Sequence, residues 1–148
     1  MLKELFHVVI FGHPYIKKNS QRTIWHKYLK KTIVVYSANY SRWKNDSMKQ
    51  LCVGYHRVGE YKKHPEKRRS PFEMPMILKC HFYIQQNRRT DLSNLLEGVQ
   101  DLLVEAEIIK DDNFNIIIGH DGSRVFIDKE NPRIELWLQE ASSELTGS

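Results

Sequence analysis

Cysteine is scarce in this chain. Only Cys52 and Cys80 occur among 148 residues, and they share no Cys-x-x-Cys spacing. That argues against a thiolate zinc site or a disulfide framework, and predicts two reduced, mostly buried thiols in a cytoplasmic protein. Long apolar runs are missing as well. The longest near the N-terminus, residues 8–11, is far too short for a signal or membrane-spanning segment. There are no internal repeats and no linker of biased composition. Acidic residues are nearly absent from residues 1–90, which hold 5 Asp/Glu against 19 Lys/Arg, a balance of +14. Residues 91–148 reverse this with 13 Asp/Glu against 4 Lys/Arg, a balance of −9. Such polarity suits a polyanion held by the basic part and cations held by the acidic part.

What is present is enough for one globular domain: 41% apolar residues and 16 aromatics. The pattern predicts a domain over residues 1–140 and a frayed tail over 141–148. Residues 5–11 (LFHVVIF) read as a buried strand ended by Gly12 and Pro14, and residues 32–36 (TIVVY) as a second strand. A helix is expected over roughly 40–55, capped by Ser37 or Asn39, with Trp43, Leu51 and Tyr55 on one face. Residues 76–84 (MILKCHFYI) form a strand with Lys79 and His81 on one face and Cys80 and Phe82 on the other. Residues 114–119, 122–127 and 133–138 complete the strands. The order predicts a two-layer α+β domain, its two main helices packed on one face of a mixed β-sheet.

Two basic segments stand out. Residues 15–31 interleave Lys17, Lys18 and Arg22 with Tyr15, Trp25 and Tyr28, the mixture of cations and rings a nucleic-acid groove uses. Residues 58–74 lack apolar periodicity and carry Lys62, Lys63, Lys67, Arg68 and Arg69 in a surface loop.

The most informative stretch is 88–112, RRTDLSNLLEGVQDLLVEAEIIKDD. Leu92, Leu95, Leu96, Val99, Leu102, Leu103 and Ala106 step by three, four and one, so a helix is expected over about 92–105. Thr90 or Asp91 would cap it. Ser93, Glu97 and Asp101 form a polar row, and Asp111-Asp112 follow. These acids are candidate ligands of one hard cation, and Arg88 and Arg89 just before them are candidate phosphate contacts.

This stretch resembles the RusA family of Holliday-junction resolvases. The family's helix begins Asp-x-Asp-Asn, carries a Lys and then an Asp, and is followed by Asp-Asp. Asp91-Leu92-Ser93-Asn94, Asp101 and Asp111-Asp112 match at the family's spacing. Gly12, Pro14, Lys17, Lys18 and Asn19 after the first strand also fit, and residues 40–44 fit more loosely. The resemblance implies a homodimeric, Mg²⁺-dependent endodeoxyribonuclease (Mn²⁺ a possible substitute) that cuts four-way junctions by paired nicks in recombination and repair, often prophage-borne. Two positions depart from the pattern: Ser93 replaces a ligand Asp, and Glu97 replaces the catalytic Lys. Glu97 lies one turn beyond Ser93 on the same row and would restore the lost carboxylate. The expected catalytic set is then Asp91, Asp112, Glu97 and Asp101, with Asp91, Asp112 and Glu97 on the metal and Asp111 in a turn. The lost cation would come from Arg88, Arg89, Lys110 or a lysine of the N-terminal loop. DNA would be held by Lys17, Lys18, Arg22, Lys62, Lys63, Arg68, Arg69, Arg88 and Arg89. Alternatives are an impaired junction-binding protein, or a metal-dependent nuclease acting on another branched or single-stranded nucleic acid. Apolar residues Phe114, Ile116, Ile118 and Trp137 are candidate surface for a dimer.

Overall fold

The computed structural model describes residues 2–16, 21–85 and 90–144. Among the described residues seven strands and two long helices follow one another as β1 (Lys3–Phe11), β2 (Gln21–His26), β3 (Lys31–Tyr36), α1 (Ala38–His56), β4 (Met76–Ile84), α2 (Leu92–Glu105), β5 (Ile117–Gly119), β6 (Arg124–Ile127) and β7 (Arg133–Glu140). The main sheet runs β1-β7-β4-β5, with β6 also on β4. β7 is antiparallel to both β1 and β4, whereas β5 and β6 run parallel to β4. The fold is therefore the expected α+β class with a mixed sheet.

Alternation along the strands explains the layering. On β4 and β7, Met76, Leu78, Cys80, Phe82, Ile134, Leu136 and Leu138 are buried, and the residues between them face the other way. The buried rows share one core with Leu51 and Tyr55 of α1 and Leu95, Leu96, Val99, Leu102 and Leu103 of α2. Each fully buried Leu or Val removes apolar surface from water worth about 1.5–3 kcal/mol. The opposite sheet face is laced by cross-strand rows. Trp137 lies between the parallel His7 ring, 5.0 Å away, and the Lys79 ammonium at 4.4 Å. Tyr83 lies between the Phe126 ring at 5.0 Å and the Arg133 guanidinium at 3.7 Å. Such pairs each add a few tenths to about 1 kcal/mol. Both cysteines are buried and free.

Four local expectations change. The basic segment contains a strand, β2, which pairs with β3 in a separate two-stranded ribbon. Of residues 114–119 only 117–119 are extended; Asn113 accepts backbone bonds from Asn115, Ile116 and Ile117 and turns the chain there. Ile116 is buried in the core, so it offers no dimer surface, while Phe114 is 74% exposed. The ordered chain also continues past residue 140: Ala141 is buried, its N–H donates to Pro75 O, and Ser142–Glu144 make a 3-10 turn.

α1 is capped by Ser37, whose hydroxyl accepts from Tyr40 N at 3.1 Å. Its other end is tied to α2 by His56. The buried His56 Nε2 donates to Ala106 O at 2.8 Å, and Nδ1 accepts from Arg69 N at 3.1 Å. Its ring stacks on Tyr61 with centroids 4.2 Å apart.

Candidate active site

α2 carries the acidic row. Ser93, Glu97 and Asp101 are all exposed, on the face opposite the leucines. Asp91 occupies the N-cap position but makes no side-chain bond to the helix backbone. Its carboxylate instead accepts a long 3.4 Å bond from Asn94 Nδ2, and Asp91 itself is exposed. The expected cap is absent at both candidates in different senses: Thr90 lies before the cap position, and Asp91 holds it without capping.

The return of the chain to α2 positions the second group of acids. Phe72 bridges Ile109 in parallel fashion, with Phe72 N donating to Ile108 O and Lys110 N to Phe72 O, both at 2.9 Å. Glu107, at φ 55°, makes the left-handed step that ends the helix, with its N–H on Val104 O. Beyond it, Asp111 closes a small turn: Oδ1 accepts from Asp112 N at 2.7 Å and Oδ2 from Asn113 Nδ2 at 3.1 Å. The Asp112 N–H, joined by the Asn113 amide, holds the Asp111 carboxyl below the usual carboxylate range. Asp111 is thus the turn residue, and Asp112 is left to the cleft.

That cleft, ≈ 330 Å³, lies between α1 and α2. Asp101 and Asp112 line it with Glu105, Gly98, Tyr40 and Lys44. Lys44 Nζ pairs with Glu105 Oε2 at 3.0 Å. Gly98 has open space where a side chain would begin, so the cleft wall on α2 is kept low at that turn. Asp91 and Glu97 do not line this cleft. Among the described residues, no three His, Cys, Asp or Glu side chains are grouped to hold a metal. Two carboxylate oxygen donors facing one cleft nonetheless suit Mg²⁺, which commonly takes one or two carboxylates and keeps several waters.

The cation that lines the cleft is not one of those expected from the sequence. Lys110 pairs with Glu73 at 3.5 Å and lines no part of the cleft, whereas Lys44, from the other helix, does. The available signal was the i, i+4 spacing of Tyr40 and Lys44, which places them on one stripe of α1.

The expected DNA contacts are scattered. Arg22 is exposed on β2, and Lys62 and Lys63 are exposed on a 3-10 turn, with Lys63 3.3 Å from Glu60. Arg68 pairs with Glu107 at 3.1 Å, and Arg69 lies 4.2 Å over the Tyr55 ring and donates to Tyr55 O. These last two guanidiniums therefore anchor their loop to the helices. Lys17, Lys18, Arg88 and Arg89 lie outside the described residues.

No described helix is long and apolar enough to cross a membrane. The chain matches no family model and no curated protein. What the structure defines is an α+β domain with an acidic cleft between its helices, lined by Asp101, Glu105 and Asp112.

Proposed function

We propose that this chain is a divalent-cation-dependent, structure-specific endodeoxyribonuclease of the RusA type, resolving four-way DNA junctions by paired nicks. One observation carries the reading: Asp101 and Asp112, eleven positions apart, share a cleft with a lysine from the opposite helix. Asp101 and Asp112 would hold Mg²⁺, with Mn²⁺ as a substitute. When bound, the ion supplies an activated water and neutralises charge on the phosphoryl oxygens. Lys44 places a further positive charge where the phosphate enters, a role suited to the cation missing at position 97. Asp91 and Glu97 extend the acidic face along α2. Lys62, Lys63 and Arg22 are exposed and available to the DNA backbone. A junction has two-fold symmetry, so the proposal includes a homodimer offering one cleft to each cut strand. The setting would be cytoplasmic DNA recombination and repair.

The test uses a synthetic four-way junction and a linear duplex, with Mg²⁺ or EDTA, beside an Asp112→Asn variant. The expected result is paired nicks in the junction alone, dependent on Mg²⁺. The variant should be slower by at least about a hundredfold, beyond the usual loss from disturbing a ligand's outer partners. Nicking of flaps or single strands in preference to the junction would give the enzyme a different substrate. A second reading, junction binding without cleavage, is favoured by Ser93 and by the lack of a three-acid group among the described residues. Tight junction binding with no nicks in any divalent metal would select it.

A further inference from the structure

The β2–β3 ribbon stands apart from the main sheet, its strands hydrogen-bonded to each other in a sheet of their own. Residues 21–36 hold Arg22, Lys27, Lys30 and Lys31, and no Asp or Glu. His26 closes the tip: its carbonyl accepts from Lys30 N at 2.9 Å and its Nδ1 from Leu29 N at 3.0 Å. Lys30 takes the left-handed step there, at φ 51°. The turn presents Lys27, Tyr28, Leu29 and Lys30 to solvent, with Tyr28 90% exposed. Along the strands Trp25 is 65% exposed, and Ile24 and Val34 are exposed too. A bare two-stranded hairpin is at best marginally stable in water, so this much uncovered apolar surface points to a binding partner.

The charge says which kind. Four cations without one acid complement a polyanion, whereas two such arms would repel each other. The shape agrees. Each six-residue strand reaches about 20 Å, and a two-stranded ribbon is narrow enough for the DNA major groove, about 12 Å wide. Rings set among the cations add apolar contact that a purely electrostatic grip lacks. The root of the arm lies beside the candidate active site: the Tyr36 ring is 5.3 Å from that of Tyr40, which lines the acidic cleft. A duplex held along the arm is thus held within about 20 Å of that cleft.

We infer that the β2–β3 ribbon is an arm that lies in the major groove of a DNA duplex leading into the acidic cleft. Arg22, Lys27, Lys30 and Lys31 meet phosphates along the groove walls, and Trp25 enters the groove. The inference rests on the reading of the protein as a DNA-cutting enzyme and names the part that grips the double-stranded portion of its substrate.

The experiment compares the full chain with two triple variants of equal charge. Arg22→Gln/Lys27→Gln/Lys31→Gln strips the arm, and Lys3→Gln/Lys49→Gln/Lys129→Gln removes three exposed cations elsewhere. All six positions are exposed, so the three proteins should melt alike. Each is titrated with a short linear duplex and with a four-way junction, by fluorescence anisotropy over a range of salt. The arm variant should bind at least about tenfold more weakly, and its slope of log affinity against log salt should be shallower by up to about 2.7, three phosphate contacts at about 0.9 each. The other variant should stay within about threefold of the wild type. The Trp25 indole ¹⁵N–¹H signal, assigned by its loss in Trp25→Phe, should shift as duplex is added. Equal losses in the two triple variants would overturn the inference, because charge anywhere would then serve as well. A Trp25 signal unmoved at saturation would overturn the groove placement. An arm variant with full DNA affinity that sediments as a smaller species than the wild type would give the arm to a second copy instead. If the wild type binds neither DNA, the nucleic-acid reading falls with the inference. If the arm variant alone loses affinity but the wild type nicks no DNA, the arm stands and the nuclease reading is lost. If the wild type nicks junctions and the arm variant binds them equally well, the nuclease reading stands and the arm is lost.

Discussion

Replacing His56 by alanine should destabilise the fold by about 4 kcal/mol. His56 is wholly buried, and its ring is stacked on Tyr61 and edge-on to Tyr55. Removing that ring from a packed interior costs about 2 kcal/mol, at the low end of large-to-alanine losses because the imidazole is small. The second contribution is the Ala106 carbonyl, which the ring N–H serves at 2.8 Å in a residue with no exposure. Leaving it unpaired adds about 2 kcal/mol. The Arg69 amide adds little, since Arg69 is exposed and water can reach it. For a domain of this size the melting temperature should fall by about 8–16 °C. His56→Phe keeps the stack and loses only the bonds, so it should fall about half as far. Urea unfolding measures both, with an unchanged dependence on denaturant showing that the unfolded state is the same. A loss below about 1 kcal/mol for His56→Ala would refute the idea that this ring ties α1 to α2. The tie also matters to the acidic cleft, whose two sides belong to those two helices.

Other perturbations separate charge, backbone and pH effects. Lys44→Met and Glu105→Gln each break the same partly exposed ion pair, so each should change stability by only about 0–1 kcal/mol. Under the proposed function Lys44→Met alone should slow nicking, by roughly tenfold or more, whereas equal losses in the two would leave Lys44 a structural role. Gly98→Ala should raise stability by about 0.5–1 kcal/mol, because alanine suits a helix interior and nothing lies within 4 Å of the new methyl. The same methyl projects into the acidic cleft, so under the proposed function a more stable but slower-nicking protein is expected; a melting curve and a nicking assay read the two effects. Burial holds the His120 imidazole below its ordinary value, against the opposing pull of Asp121. The unfolded chain therefore takes up the proton first, and stability should decline as pH falls below about 6.5 towards the lower folded value. A His120→Asn variant should show a shallower decline of unfolding free energy between pH 7 and 5.

Where burial imposes a period, the fold could be read directly from the chain. The leucine stripe of α2 and the alternation of β4 gave their element bounds as observed, Leu92–Glu105 and Met76–Ile84. β2 escaped because neither of its faces is covered: five of its six residues are exposed, so no alternation marks it. The acids of the cleft were recognisable for the opposite reason, being crowded into one stretch. The expected metal set was Asp91, Asp112 and Glu97, with Asp101 in the catalytic set alone, but it is Asp101 that shares the cleft with Asp112. The spacing of Tyr40 and Lys44 set them on one stripe of α1, but that this stripe meets the acids follows only from the packing of α1 beside α2.

The β2–β3 ribbon divides the molecule into parts with different obligations. Gln21 and Tyr36 are register partners at its base, so the chain enters and leaves within roughly 5.5 Å. An antiparallel ribbon closed at its root can be lengthened, shortened or exchanged without moving the strands of the main sheet. The core is thus free to keep its geometry while the arm varies in length and surface, without altering the cleft between the helices.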